Sequence, residues 1–338
     1  MKILFVAHDG ADGIGTHSAG LQAALPAVLG ADDNLVVTAL TGRRSRRGAR
    51  ILGQQLRLPF TERDADLVHL PDFRPTLIDT RPTLLTVHDV CVLDRPEWYP
   101  RSVYRYKSTF LKLVRVKQPA AIVCVSAYTE RRLRHHLPGL RSPISVIHPG
   151  IETPELAPLP TGDEEFFLTL STIEPRKNHL GLLAAFRDAR RRGLRLRWKV
   201  AGASGYKGEP IAAALRSVDG VDVLGPVTNV EREHLFRAAA FVAVPSSVEG
   251  FGIPAGEAMA RGLPVIVATG SGLDEVGAGA GLRLDPDDVH AWADALLQLQ
   301  DDIGLRGELR REGIEAATGM SWSEAAESYV ALYRSLVA

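Results

Sequence analysis

A glycine-rich segment in the second half of the chain, EGFGIPAGE from Glu249 to Glu257, begins and ends on a carboxylate. It follows an apolar, strand-like run from Phe241 to Val244, and Pro254 suits the first position of a helix. A turn of this kind presents backbone N–H groups at a helix N-terminus, which is a binding site for anions. The segment therefore predicts a cradle for a diphosphate.

Four residues of this segment are the expected contacts. The N–H groups of Phe251 and Gly252 would meet the phosphates, and Glu249 would lie on the loop that faces the ligand. Glu257 would lie in the first turn of the helix, where a carboxylate can accept hydrogen bonds from two hydroxyl groups. The structural alternative is that Glu257 complements the helix dipole and Glu249 is a solvated loop residue.

Two adjacent cations, Arg176 and Lys177, follow the strand-like run Phe166 to Ser171 and precede an amphipathic helix. Both should therefore lie near the carboxyl end of a strand, where parallel sheets bind their ligands. Arginine can bind phosphate oxygens through two N–H groups, and lysine acts as a point charge. Adjacent cations are usually surface residues, but the two glutamates downstream favour a diphosphate site.

The first half of the chain offers one histidine and two glycines as candidates. His88 comes at the end of a predicted strand, where it would point into a cleft between domains, and a strand-end hydrogen bond is the structural alternative. Gly13 and Gly15 open the first helix. Counted from Gly10 their order is G-x-x-G-x-G, whereas a dinucleotide-binding Rossmann domain has G-x-G-x-x-G. The glycines therefore do not predict a dehydrogenase.

Short apolar runs alternate with longer amphipathic stretches, which is the pattern of parallel α/β sheets. The strands predicted in the first half are Lys2–Ala7, Leu35–Leu40, Asp66–Leu70, Thr83–Asp89, Ala120–Ser126 and Ile144–His148. Those predicted in the second half are Phe166–Ser171, Leu196–Ala201, Val221–Leu224, Phe241–Val244, Pro264–Ala268 and Gly281–Leu284. The predicted fold is α/β, with two Rossmann-like doubly wound parallel sheets in series.

Two domains also suit a chain of 338 residues, because one hydrophobic core rarely organises so many. The predicted domains are 1–153 and 166–320, joined by a proline-rich linker over 154–165. A C-terminal helix over 321–338 is expected to pack back on the first domain. Ser321 precedes Trp322, and Glu324 follows three residues after the serine, which predicts a capping box at the start of that helix.

The net charge of zero conceals an asymmetry between the two halves. Residues 1–150 carry 21 Lys or Arg against 13 Asp or Glu, and the remainder carries 19 against 27. A basic first half can attract an anionic acceptor or a membrane surface. A basic amphipathic stretch over 101–117 could meet such a surface or could be a solvated helix. Nucleic-acid binding is not predicted, because the arginine cluster at 43–50 has no interleaved aromatic residues.

Several classes of protein and of site are not predicted. Two cysteines are too few for a secreted disulfide framework, and no signal peptide or apolar run of about 18 residues is visible, so we expect a cytoplasmic protein. The triplet Asp64-Ala65-Asp66 lies at the beginning of a strand, the wrong end for a metal site. His135 and His136 have no acidic residues at ligand spacing. We therefore expect neither a metal nor a cofactor.

At the glycine-rich segment the sequence resembles the E-x7-E motif of the family-four, group 1 retaining glycosyltransferases of GT-B type. Neighbouring blocks are similar to that family as well, namely STIEPRKN from Ser171, VPSS from Val244 and EAMARGLPVI from Glu257. In the first half the family's blocks occur in the expected order, as GIG from Gly13, HD from His88, VS from Val125 and HPG from His148. The resemblance covers nearly the whole chain and is strongest from Ser171 to Ile266.

The resemblance implies two domains that face a central cleft and a nucleotide-diphosphate sugar as the donor. Arg176 and Lys177 would bind the diphosphate, and the loop that carries Gly13 and Gly15 would close over it from the other domain. Retention of the anomeric configuration is also implied, with attack on the face of the leaving group. A phosphate oxygen would then receive the proton of the acceptor, so that no dedicated base is required.

The same resemblance assigns the sugar and the nucleoside. His88 and Glu249 would contact the donor sugar, and Glu257 would bind the ribose. GDP-mannose, UDP-glucose and UDP-N-acetylglucosamine all stay open as donors, and the acceptor is a hydroxyl of a glycan, glycolipid or natural-product precursor. A sugar-nucleotide epimerase of the same architecture and a non-catalytic sugar-nucleotide-binding partner are the alternative functions.

Overall fold

The computed structural model describes residues 1–8, 13–39, 61–76, 78–152, 154, 156–158, 162 and 164–338. The chain divides into two compact units. Unit 1 comprises Met1–Asp94, Arg101–Gly150 and Met320–Ala338, and unit 2 comprises Arg95–Pro100 and Ile151–Gly319. Gly10, the arginine cluster at 43–50 and part of the predicted linker lie outside the described residues.

The described residues of unit 1 form a six-stranded sheet in the order β2-β1-β3-β4-β5-β6, and every neighbouring pair is parallel. Its strands are β1 (Lys2–Ala7), β2 (Asn34–Ala39), β3 (Leu67–Leu70), β4 (Thr83–Val87), β5 (Ala121–Cys124) and β6 (Ile144–Val146). The strands β3, β4 and β5 are buried along their whole length. Continuous burial is expected of apolar strands in a sheet that helices cover on both faces.

The helices of unit 1 include one from the far end of the chain. They are α1 (Gly13–Val28), α2 (Cys91–Asp94), α3 (Arg101–Lys117), α4 (Ala127–His136) and, after the helices of unit 2, α11 (Trp322–Val337). The last helix packs against α1, and its Tyr329, Val330 and Tyr333 are buried in the same core as β1 and β3. The capping box predicted at Ser321 and Glu324 is confirmed.

Unit 2 has a second parallel sheet, in the order β12-β11-β10-β7-β8-β9. Its strands are β7 (Phe166–Leu170), β8 (Arg197–Ala201), β9 (Val221–Gly225), β10 (Val242–Val244), β11 (Val265–Ala268) and β12 (Leu282–Leu284). Its helices are α5 (His179–Arg191), α6 (Gly208–Arg216), α7 (Asn229–Ala238), α8 (Ile253–Ala260), α9 (Val289–Asp301) and α10 (Ile303–Thr318). The prediction of two doubly wound parallel sheets is confirmed.

Aromatic packing fixes the middle of the second sheet. The ring of Phe167 on β7 stacks on Trp198 of β8 and on Phe241 beside β10, with centroids 5.9 and 5.1 Å apart. The indole N–H of Trp198 donates to the hydroxyl of Thr169, at 3.0 Å. These buried contacts hold β7 and β10 in place, and the loops that follow these two strands carry the candidate site.

Two further observations bear on the sequence-based expectations. Strand β4 ends at Val87, because its pairing with β5 stops at Val87 and Cys124, so His88 lies in the following loop and not in the strand. Among the described residues, no helix is both long enough and apolar enough to span a lipid bilayer.

Candidate functional site

The candidate site of unit 2 lies where the strand order of its sheet reverses. Strand β7 is the first strand of the unit and lies in the middle of the sheet, with β8 and β9 on one side and β10 to β12 on the other. The loops after β7 and β10 therefore leave the sheet side by side, at the position where open parallel sheets have their ligand-binding crevice.

The loop after β7 brings two cations to this crevice. Arg176 and Lys177 form a short 3₁₀ turn with Pro175, and the turn ends at Asn178, which adopts the left-handed conformation at φ 50°. Asparagine tolerates that conformation better than most residues, so the turn can pass directly into α5. The N–H of Ser247 donates to the carbonyl of Arg176, at 2.9 Å, and ties the turn to the loop after β10.

Glu249 lies between the two cations. One carboxylate oxygen accepts from Nη1 of Arg176 at 3.0 Å, and the other accepts from Nζ of Lys177. Arg176 is also held by Glu174, through Nε at 2.5 Å. Lys177 and Glu249 are both buried. Adjacent cations are usually surface residues, but Lys177 is not one.

The charges of this cluster depend on one another. Burial alone would raise the pKa of the Glu249 carboxyl, but Lys177, Arg176 and a hydrogen bond from Ser246 outweigh it and lower that pKa to about 2. Burial and the neighbouring Arg176 lower the pKa of Lys177, and Glu249 opposes them. The arrangement follows the rule that a charge removed from water needs a charged partner. At neutral pH Glu249 is a carboxylate that can accept hydrogen bonds and cannot supply a proton.

The glycine-rich turn after Glu249 is fixed by backbone contacts. Gly252 caps α8 with φ at 112°, a value that side chains disfavour, and a Cβ at this position would collide with Leu273. A Cβ on Gly272 would collide with the carbonyl of Gly250, and the N–H of Gly272 donates to the carbonyl of Glu249, at 2.9 Å. Phe251 is buried. The turn therefore enters α8 as predicted, with Pro254 in the first turn of the helix.

Glu257 is the fifth residue of α8 and lies in its second turn, not in the first turn as predicted, because the helix begins at Ile253. It also has a partner that the sequence did not indicate. Its Oε1 accepts from Nη2 of Arg232 on α7, at 2.9 Å. Burial raises the pKa of Glu257, and Arg232 and Arg261 oppose that shift. No motif distinguishes Arg232 from the other charged residues of α7, so sequence reasoning had no signal for it.

His88 belongs to unit 1, and its imidazole makes two described contacts. Its Nε2 lies 3.0 Å from the carbonyl of Pro71, which makes that nitrogen the donor. The ring also meets His17 of α1 edge to face, with centroids 4.8 Å apart. A strand-end hydrogen bond is thus present, and contact with a sugar stays a prediction.

The C-terminal helix α11 supports this region of unit 1 through a buried polar network. The hydroxyl of Tyr329 lies 3.3 Å from Nε2 of His17 and 3.0 Å from Oγ1 of Thr86. His69 bridges Tyr333, at 2.7 Å, and Thr86, at 3.0 Å. Burial lowers the pKa of His69 to about 3. The network therefore consists of neutral groups whose hydrogen bonds replace water.

The two glycines of the first half lie in the first turn of α1. Gly15 is buried, and a Cβ added to Gly13 would meet no atom within 4 Å among the described residues. Within the part of the chain that the structure describes, packing therefore gives no reason for glycine at position 13. Close approach of a diphosphate stays a prediction for both positions.

Three of the candidates rejected as metal ligands have hydrogen-bond or ion-pair partners within unit 1. Asp64 pairs with the ammonium of Lys2 at 2.7 Å, and Asp66 accepts from the N–H of Lys2 at 2.7 Å. His136 lies 2.7 Å from Asp94. The two aspartates thus join the starts of β1 and β3, at the edge of the sheet opposite to the carboxyl ends.

Two family models together match most of the chain. Residues 14–155 match the model described as Glycosyltransferase Family 4, and residues 156–319 match the one described as Glycosyl transferases group 1.

Curated relatives carry the names of glycosyltransferases. O-antigen chain mannosyltransferase B of Escherichia coli is 28% identical over 267 residues, which are 74% of this chain and 70% of that protein. A D-inositol 3-phosphate glycosyltransferase of Kineococcus radiotolerans is 33% identical over 226 residues, which are 57% of this chain and 52% of that protein. The match thus spans about half the length of the second relative.

Solved structures share the fold over the full length. Sucrose-phosphate synthase from Thermosynechococcus elongatus superposes with a TM-score of 0.81 at 19% identity and covers 99% of both chains. HepE of Anabaena, solved in complex with UDP-glucose, superposes with a TM-score of 0.75 at 16% identity and covers 99% of both chains. At these identities the likeness concerns the fold.

Proposed function

The chain belongs to the group 1 glycosyltransferases of GT-B fold, and we propose that it moves a hexose from a nucleotide-diphosphate sugar to a hydroxyl acceptor with retention of configuration. The observation that carries the proposal is the buried cluster of Glu249 with Arg176 and Lys177. It lies at the carboxyl ends of two central strands, directly before the N-terminus of α8.

The cations and the helix terminus suit a diphosphate. Glycosyl transfer builds negative charge on the departing phosphates, and donors that are already in place stabilise it best. A guanidinium has five N–H donors and an ammonium has three, so Arg176 and Lys177 are residue types that bind phosphate oxygens through several hydrogen bonds. The N–H groups of Phe251 and Gly252 precede α8 and add the positive end of its dipole. In this proposal the N–H donors of the two cations and of the helix N-terminus stabilise the diphosphate, and the transfer needs neither a metal nor a cofactor.

The two glutamates and the histidine take the sugar and the nucleoside. Glu249 accepts hydrogen bonds from sugar hydroxyls, since its carboxyl stays ionised far below neutral pH. Glu257 accepts from the ribose hydroxyls, and His88 contacts the sugar. The acceptor attacks on the face of the leaving group and gives its proton to a phosphate oxygen. No side chain then has to titrate during the reaction.

The names of the relatives and the basic face of helix α3 support the choice of donor and acceptor in this proposal. The relatives' names, a mannosyltransferase and a glycosyltransferase that acts on an inositol phosphate, together with the UDP-glucose complex of HepE, favour GDP-mannose or a UDP-hexose and an anionic acceptor. They favour transfer over epimerisation or mere binding of the sugar nucleotide. Helix α3 has an exposed basic face suited to a phosphorylated acceptor or to peripheral contact with the inner membrane surface, formed by Arg101, Arg105, Lys112 and Arg115. Such a protein would work in the cytoplasm.

The variants Arg176→Ala and Lys177→Ala test the phosphate assignment. A panel of nucleotide sugars first identifies the donor by thermal shift, and turnover is then measured with that donor. We expect kcat to fall by about a hundredfold in each variant, the typical loss when one donor to a developing anion is removed. Arg187→Ala, an exposed arginine on α5, is the matched control. Turnover within threefold of the wild type in both variants would show the assignment to be wrong.

A further inference from the structure

Arg232 connects two helices of unit 2 at the carboxylate to which the ribose is assigned. It lies in the first turn of α7, which begins at a capping box formed by Thr228 and Glu231. Its Nη2 donates to Oε1 of Glu257 on α8, at 2.9 Å. The side chain of Glu257 is 11% exposed and that of Arg232 is 28% exposed, so the pair is largely shielded from solvent.

A different pair already fastens α7 to the end of α8. Arg261 donates through Nε to Glu233, at 2.9 Å, and through Nη1 to the carbonyl of Glu257, at 2.8 Å. The guanidinium of Arg261 also lies 4.6 Å from the ring centroid of Phe236. Arg261 is buried and Glu233 is partly exposed, and none of these contacts involves Arg232. The pairing of Arg232 with Glu257 is therefore not required to dock the helices. The pairing instead acts on the position and the charge of the Glu257 carboxylate.

The state of that carboxylate depends on the charges around it. Burial raises the pKa of Glu257, and the charged groups among the described residues that act on it are Arg232 from α7, Arg261 from the end of α8 and Glu152 from the segment after β6. The two arginines favour the ionised form and Glu152 opposes it. Hydrogen bonds to an ionised carboxylate are stronger than those to a neutral acid.

We infer that Arg232 is a positioning residue of the donor site, which holds Glu257 in the rotamer and charge state that accept the ribose hydroxyls. A carboxylate offers about four acceptor positions on its two oxygens, so one bond from Arg232 leaves room for two hydroxyl groups. The inference rests on the proposed function, because it needs Glu257 to face the ribose. It adds a residue that no motif includes.

Nucleotides that lack the ribose hydroxyls separate this role from a structural one. The binding of UDP and of GDP, each with its 2′,3′-dideoxy form, is measured by calorimetry for the wild type and for Arg232→Leu. We expect the wild type to lose roughly tenfold or more in affinity when the hydroxyls are removed, as for hydrogen bonds to a charged group. Arg232→Leu should bind the intact nucleotide roughly tenfold more weakly and discriminate by less than about threefold.

Further variants show whether the charge of Arg232 or the docking of α7 is responsible for the discrimination. Arg232→Lys, which keeps the charge, should recover part of the discrimination, and Arg232→Gln gives a second comparison if the leucine variant folds poorly. Glu233→Gln weakens the docking of α7 without touching the Glu257 carboxylate, and it should keep the discrimination of the wild type. In turnover assays Arg232→Leu should raise the KM for the donor more than it lowers kcat.

Four outcomes would overturn the inference, and they differ from one another. Wild-type discrimination in a folded Arg232→Leu variant means that Arg232 does not position Glu257. Equal loss in Arg232→Leu and Glu233→Gln means that the role is structural. A wild type that binds UDP or GDP without sensing the hydroxyls removes the ribose role of Glu257 as well, and a wild type that binds neither nucleotide removes the proposed function itself.

Discussion

Replacing Glu249 by glutamine removes one charge from the buried cluster and keeps the shape of the side chain. The neighbouring cations hold the pKa of this carboxyl at about 2, against an ordinary value of 4.5. At about 1.4 kcal/mol per pKa unit, the folded protein favours the ionised carboxylate by about 3 kcal/mol. The side chain is 10% exposed, so solvent screens little of this interaction. The variant also leaves the buried ammonium of Lys177 beside Arg176 without its counter-charge, which is destabilising.

We therefore expect Glu249→Gln to lower the Tm of the protein by roughly 6 to 12 °C at pH 7, at about 2 to 4 °C per kcal/mol for a unit of this size. Calorimetry of the wild type, Glu249→Gln, Lys177→Met and the double variant forms a double-mutant cycle. Because the double variant removes both charges, it should be destabilised by clearly less than the sum of the single variants. A loss below about 2 °C in Glu249→Gln, or simple additivity in the cycle, would refute the argument.

The same carboxylate predicts a dependence on pH. A folded-state pKa that lies below the unfolded value gives stability that is fully present above about 4.5 and is lost as the pH falls towards about 2. The difference in Tm between the wild type and Glu249→Gln should therefore be constant above pH 5 and shrink below pH 4.5. A difference that stays constant down to the acid limit of folding would assign the stabilisation to shape and not to charge.

Two further predictions concern positions outside the ion cluster. Gly252→Ala should destabilise the protein more than Gly193→Ala. Both glycines have φ near 110°, but of the two only Gly252 has a neighbour, Leu273, that an added Cβ would meet. Thermal unfolding of the two variants measures the difference, and equal losses of stability would contradict the prediction. His69→Gln should reduce the fall of Tm between pH 7 and pH 5. The buried histidine has a pKa of about 3, so its contribution to stability is complete above about pH 6.5 and about 2 kcal/mol smaller at pH 5. His135→Gln, at an exposed histidine, is the control, and an unchanged pH profile in His69→Gln would rule out this role.

Local sequence features predicted the architecture because they have local physical causes. The alternation of apolar runs and amphipathic stretches predicted two parallel sheets, and each described strand lies within two residues of its predicted bounds. The capping box at Ser321 was readable because both of its partners lie within one helical turn. The glycine at position 252 was readable because a tight turn before a helix needs a conformation that other residues disfavour.

Tertiary structure decided which groups share a site. Arg176 and Lys177 meet Glu249 across more than 70 residues of sequence, and Glu257 meets Arg232 across 25. Pairings at such distances leave no periodic trace, since a partner for a buried charge can come from any element that folds beside it. The C-terminal helix likewise carries an amphipathic pattern that predicts burial of one face but does not identify the side chains that cover it, which come from α1, β1 and β3.

The sequence by itself thus determined the elements, their order and the residue types that can hold a diphosphate, because these depend on backbone preference and on side-chain chemistry. Only the folded chain decided which carboxylate is charged, which cation is buried and which helix completes each core. Those properties depend on the distances between charged groups and on how far water is excluded from them, and both are set only when the sheets have assembled.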